Sequence, residues 1–90
     1  MRTVHLQIRG KVQGVFYRVS ARDKGAGLGL HGWVRNCPDG SVEAVAGGAA
    51  EAVEQFIAWC RTGSARAVVT EVRVQEIDPV EATGFRVIRE

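Results

Sequence analysis

Ninety residues and 9.8 kDa make a single domain spanning 1–90, and 46% apolar with 24% charged content excludes a disordered chain. No apolar run approaches the ~20 residues of a membrane span, and the start MRTVHLQIRG lacks a signal-peptide core, so a cytoplasmic location is expected. Net charge is only +2, yet residues 1–36 carry seven Lys and Arg against Asp23 alone, while residues 37–90 carry five Arg against nine acids. An anion would go to the first third of the chain, although a solvated basic face has the same composition.

Residues 3–9 alternate strictly, with Val4, Leu6 and Ile8 on one face, and predict a half-buried strand. The glycine-bounded GKVQG follows as a loop. A helix is expected from Phe16 or Tyr17 to about Leu28, with Gly29 as its stop. Its sequence is poor helix material, because Gly25 and Gly27 each cost ~1 kcal/mol relative to Ala. Residues 30–36 and 41–47 read as a hairpin around the turn Pro38-Asp39-Gly40. The clearest helix covers 49–61, where Val53, Phe56, Ile57 and Cys60 fall on one face. A strand over 66–77 slips its alternation between Val69 and Val72, which predicts a bulge or a register change. A short strand over 84–90 closes the chain, with Phe85 and Val87 inward.

The order is βαββαβ, an α+β, ferredoxin-like sandwich in which two helices cover one face of an antiparallel sheet. Right-handed crossovers make strands one and two parallel with strand three between them. Their C-terminal ends then share one edge, which brings the segment Gly10 to Arg18 beside Asn36. Gly10 and Gly14 permit tight backbone there, so that successive N–H groups converge. The helix N-terminus adds unpaired donors, and Arg18 in the first turn can fold over the same concavity. This pattern fits a phosphate-sized anion, and it also fits a glycine-bounded turn beside a surface arginine. It is not a Walker loop, since the Gly-Lys-Ser/Thr ending is missing.

The run Gly10-x-Val-Gln-Gly-Val-x-x-Arg18 resembles the first signature of the acylphosphatase family. Gly32-Trp33-Val34-Arg35-Asn36-x-x-x-Gly40-x-Val42, followed by Gly48, is similar to its second. The resemblance covers essentially the whole chain. It implies a hydrolase that splits acyl phosphates into carboxylate and inorganic phosphate, with no metal and no cofactor. It places the phosphoryl group on Arg18 and on the backbone amides of Gln13, Gly14, Val15, Phe16 and Tyr17. Asn36 would hold the attacking water. The departures are Gly25 and Gly27 in the helix, Ser64 where a proline is common, and the FRVIRE end. They bear on helix stability and end packing rather than on the signatures.

The chemistry suits the sparse inventory of two His, two Cys and one Tyr. An acyl phosphate has a good leaving group, so position and charge stabilisation suffice. Cys37 and Cys60 read as free thiols, and no spacing suits a four-ligand zinc site. His5 and His31 read as sheet residues, Trp33 as packing, and Tyr17 mainly as packing. Two other readings stand beside the enzyme: a non-catalytic anion-binding or regulatory domain, and an RNA-binding module. The expected third strand, SVEAVAG, has no aromatic for base stacking, which opposes the RNA reading. A small acyl phosphate is therefore the expected partner of a monomer, with no nucleic acid and no membrane.

Overall fold

The structure is a computed structural model that describes residues 1–89. Its elements are β1 (Arg2–Lys11), α1 (Tyr17–Gly27), β2 (His31–Asn36), β3 (Val42–Gly48), α2 (Ala50–Thr62), β4 (Val68–Glu76) and β5 (Phe85–Ile88). Each predicted element is present within a few residues, and the Glu90 end of the last predicted strand lies outside the described residues. Alternation in β1 buries Val4, Leu6 and Ile8 completely, and Val34 of β2 and Val42 and Ala44 of β3 lie in the same core. From α2, Val53, Phe56, Ile57 and Cys60 close this layer. The Phe56 ring meets Phe85 at 5.2 Å and the Tyr17 ring meets Trp59 at 5.3 Å.

The strand order is β4-β1-β3-β2-β5. β3 lies antiparallel between β1 and β2, as the crossover argument requires. β4 pairs antiparallel with β1 on the far side. The expectation of a wholly antiparallel sheet needs correcting at one edge, because β5 runs parallel to β2. The cause is the path of the chain. β4 runs opposite to β1 and β2, and the chain reverses after β4 to reach the other edge, so it arrives along β2. The expected bulge or register change is also present: Arg9 pairs with Glu71 and Gly10 with Val69, leaving Thr70 as the extra residue.

Packing explains the weak helix α1. Its buried stripe is Tyr17, Ala21 and Gly25, one residue per turn. A Cβ on Gly25 would lie 2.6 Å from the Phe85 ring, so this glycine lets β5 approach the helix closely. The C-terminus is closed by paired bonds from Leu30 N–H to the Gly25 carbonyl (2.9 Å) and from Gly29 N–H to the Ala26 carbonyl (3.0 Å). A Cβ on Gly27, in contrast, would meet nothing within 4 Å, so this glycine is a pure cost to the helix. Gly27→Ala is expected to stabilise the fold by about 0.5–1 kcal/mol, raising the melting midpoint by several degrees. Gly25→Ala is expected to lower it. Thermal unfolding followed by circular dichroism checks both, and an equal response would refute the packing role of Gly25.

Candidate active site

The segment between β1 and α1 is held by its side chains while its backbone stays open. Val12 and Val15 are buried anchors. Gln13 Nε2 donates to the Cys37 carbonyl at 2.8 Å and the Ser41 carbonyl at 2.9 Å, tying the loop to the β2–β3 hairpin. That hairpin is itself closed by Asp39, which accepts from the Ser41 N–H at 3.0 Å and the Ser41 hydroxyl at 2.6 Å. Ser64, at one of the departures from the family pattern, donates its hydroxyl to the Val15 carbonyl at 2.6 Å.

These ties force two left-handed residues into the loop, Gly14 at φ 72° and Phe16 at φ 60°. Glycine takes this conformation freely, whereas an aromatic residue is strained there by about 1–3 kcal/mol. Phe16 caps α1, and the first helical bond runs from Ser20 N–H to the Phe16 carbonyl at 3.1 Å. Among the described residues, nothing accepts from the backbone N–H groups of Gly14 to Val19. The first turn of α1 contains no acidic residue. A row of unpaired donors at the positive end of a helix can hold an anion.

Asn36 closes β2 on the helix-facing side of the sheet and pairs with Val42. Arg18 and Asn36 line one cavity of about 290 Å³ together with Ile88 and Arg89. A second cavity of about 260 Å³ adjoins it, sharing Arg18 and Arg89 and reaching Gly14 and Phe16. Asn36 Oδ1 is buried without a hydrogen-bond partner among the described residues. Leaving such an acceptor unpaired costs about 1–3 kcal/mol, and among the described residues nothing offsets it.

The predicted site residues therefore fall into two groups. Arg18 and Asn36 come together as side chains, and Gly14 to Tyr17 contribute open backbone donors. The side chains of Gln13, Val15 and Tyr17 point to structure instead. Tyr17 is buried, and its hydroxyl donates to the Cys60 carbonyl at 2.8 Å, while burial pushes its phenol pKa up. Burial likewise pushes the Cys60 thiol up to about 12, which suits a small core residue. Cys37 and Cys60 are both free. Trp33 lies on the opposite sheet face from Asn36, under the Arg35 guanidinium at 5.7 Å. His5 is on that face too, with Nε2 at 2.7 Å from Glu43 Oε2. Ile88 and Arg89 were not foreseen at the cavity. The inward alternation of Phe85 and Val87 already put residue 89 on the Asn36 side, so the signal for Arg89 was present. No signal marked the left-handed Phe16.

The acylphosphatase family model matches residues 4–87. An acylphosphatase of Methylococcus capsulatus is 52% identical, over all of this chain and 99% of its own length. One from Trichormus variabilis is 49% identical, over 96% of this chain and 85% of its own. The chain belongs to the acylphosphatase family. The acylphosphatase structure from Coxiella burnetii superposes with a TM-score of 0.93 at 39% identity, covering 97% of this chain and 92% of that one. The Bacillus subtilis acylphosphatase structure gives 0.94 at 31% identity, covering 99% and 100%. The ferredoxin-like architecture is thus shared with both acylphosphatases.

On the sheet face away from the cavity of Arg18 and Asn36, Glu43 sits between His5 and Arg35. Burial opposes its ionisation, but hydrogen bonds with His5 and Arg35 outweigh that and hold its pKa below the usual carboxylate range. The folded value is the lower one. The ionised group therefore adds stability above the unfolded pKa of about 4.3 and loses it as pH falls through the folded value. Glu43→Gln is expected to flatten the loss of stability between about pH 5 and pH 3. Urea unfolding at a series of pH values reads this, and an unchanged acid slope would refute it.

Proposed function

We infer that the chain is an acylphosphatase, a hydrolase that cleaves the carboxyl–phosphate anhydride bond of small acyl phosphates. The observation that carries this reading is that Arg18 and Asn36 share one cavity beside the N–H row of Gly14 to Val19, which has no acceptor among the described residues. The backbone donors and the Arg18 guanidinium bind the phosphoryl oxygens and balance their charge as the bond to the leaving group stretches. Asn36 orients a water toward phosphorus through its amide, which hydrogen-bonds but is no general base. The water oxygen forms the new P–O bond, and the P–O bond to the acyl group breaks with its electron pair going to the carboxylate. One water proton stays on the new phosphate hydroxyl and the other passes to a phosphoryl oxygen. The products are a carboxylate and dihydrogen phosphate. Every charge movement is handled by groups already present, so the reading requires no metal. One chain supplies all of these groups, which supports a monomeric enzyme. Cytoplasmic location and the lack of a nucleic-acid partner remain parts of the same proposal.

Benzoyl phosphate is expected to be hydrolysed at the same rate with and without EDTA, with inorganic phosphate as a competitive inhibitor. Loss of activity in chelator, restored by a divalent cation, would overturn the mechanism. Arg18→Ala is expected to lower kcat/KM by about 100-fold or more, since it removes a charge-assisted contact strengthened in the transition state. Asn36→Ala is expected to lower kcat by about 100-fold while phosphate inhibition moves little, as water positioning requires. Equal losses in both quantities would make Asn36 a structural residue, and phosphate binding without turnover in the unsubstituted protein would favour an anion-binding domain.

A further inference from the structure

Phe16 is 78% exposed, although it is a large apolar residue held in a left-handed conformation. Its ring is absent from the buried core that Val12, Val15 and Tyr17 enter on either side. Strain and exposure are both unfavourable, and no packing contact of the ring within the core offsets them. Phe16 does border the second cavity, with Val12, Val19, Arg18 and Arg89. Asn36 borders the first cavity and not the second.

In-line displacement at phosphorus separates these two spaces chemically. The attacking water and the leaving carboxylate must stand on opposite sides of the phosphoryl group. With the water on the Asn36 side, the acyl group departs into the space that Phe16 borders. We propose that Phe16, with Val19, forms an acyl-group wall that makes this site select acyl phosphates with aromatic or bulky apolar acyl groups over acetyl phosphate. The proposal rests on the hydrolase reading above and adds its substrate class. The wall acts on the acyl end alone, because the phosphoryl end is the same in every such substrate. The left-handed backbone accompanies a ring that is exposed beside the second cavity and absent from the core.

The test compares kcat/KM for benzoyl phosphate and acetyl phosphate in the unsubstituted protein and in Phe16→Asn, Phe16→Gly and Phe16→Trp. Asn and Gly both accept the left-handed backbone, so the loop keeps its shape without the ring. The readout is the ratio of the two kcat/KM values, which cancels any change in the shared phosphoryl cradle. The unsubstituted protein is expected to favour benzoyl phosphate, and the ratio is expected to fall about fivefold in the Asn and Gly variants, the size of one aromatic contact. Phe16→Trp is expected to keep the preference. A ratio unchanged within about twofold in Asn and Gly would overturn the acyl wall and leave the hydrolase reading standing. Hydrolysis of neither substrate by the unsubstituted protein would overturn that reading and the wall with it.

Discussion

One side-chain amide joins the two halves of the site. Gln13 Nε2 has two N–H donors and uses both, on the carbonyls of Cys37 and Ser41. The first half of the site hangs from β1 and α1, the second from the end of β2. The tie adds to the packing of α1, which carries Arg18, on β2, which ends at Asn36. Each of these bonds is worth about 0.5–1.5 kcal/mol in net stability. Their value lies in geometry, because a displacement of about 1 Å at a reacting centre can cost 100-fold in rate. The Asp39–Ser41 bonds and the Ser64–Val15 bond extend the same framework to the hairpin turn and to the start of the segment before β4.

The site uses few titratable groups, and the fold accounts for this. On the reading proposed above, its positive potential comes from the N–H groups at the start of α1 and from Arg18 and Arg89 at the cavities. The two histidines are spent on the other sheet face, where His5 meets Glu43. Tyr17 and Cys60, which could have looked chemical, are bonded to one another's neighbourhood in the core and pushed away from ionisation at neutral pH. A scarcity of catalytic side chains is what a backbone-built anion site requires.

Much of this was legible in the residues. Periodicity of two in Val4, Leu6 and Ile8 and of 3.6 in Val53, Phe56 and Ile57 located the layers, because burial imposes those periods directly. The broken alternation near Val69 located the bulge at Thr70 for the same reason. Arg18 and Asn36 were legible from motif and topology together. The parallel β5 was not, since strand direction at an edge depends on the path taken by residues 77–84 rather than on any local pattern. Gly25 read as a helix defect because the Phe85 ring that needs its missing Cβ lies sixty residues further along the chain. Phe16 was illegible in a different way. Propensity opposes a left-handed aromatic, and only the anchors on both sides of it, Val15 and Tyr17, impose that backbone.

The placement of β1 also governs when the site can exist. This strand is made first, yet it pairs on one side with β3 and on the other with β4, so both partners are distant in the chain. Loop closure over such separations carries an entropy cost that local helical contacts avoid, and it slows folding relative to helical bundles of similar length. Gln13 finds its carbonyls only after the β2–β3 hairpin has docked beside β1. If the proposed cradle binds phosphate, its affinity follows completion of the sheet, and the bound anion would stabilise that sheet by mass action rather than nucleate it.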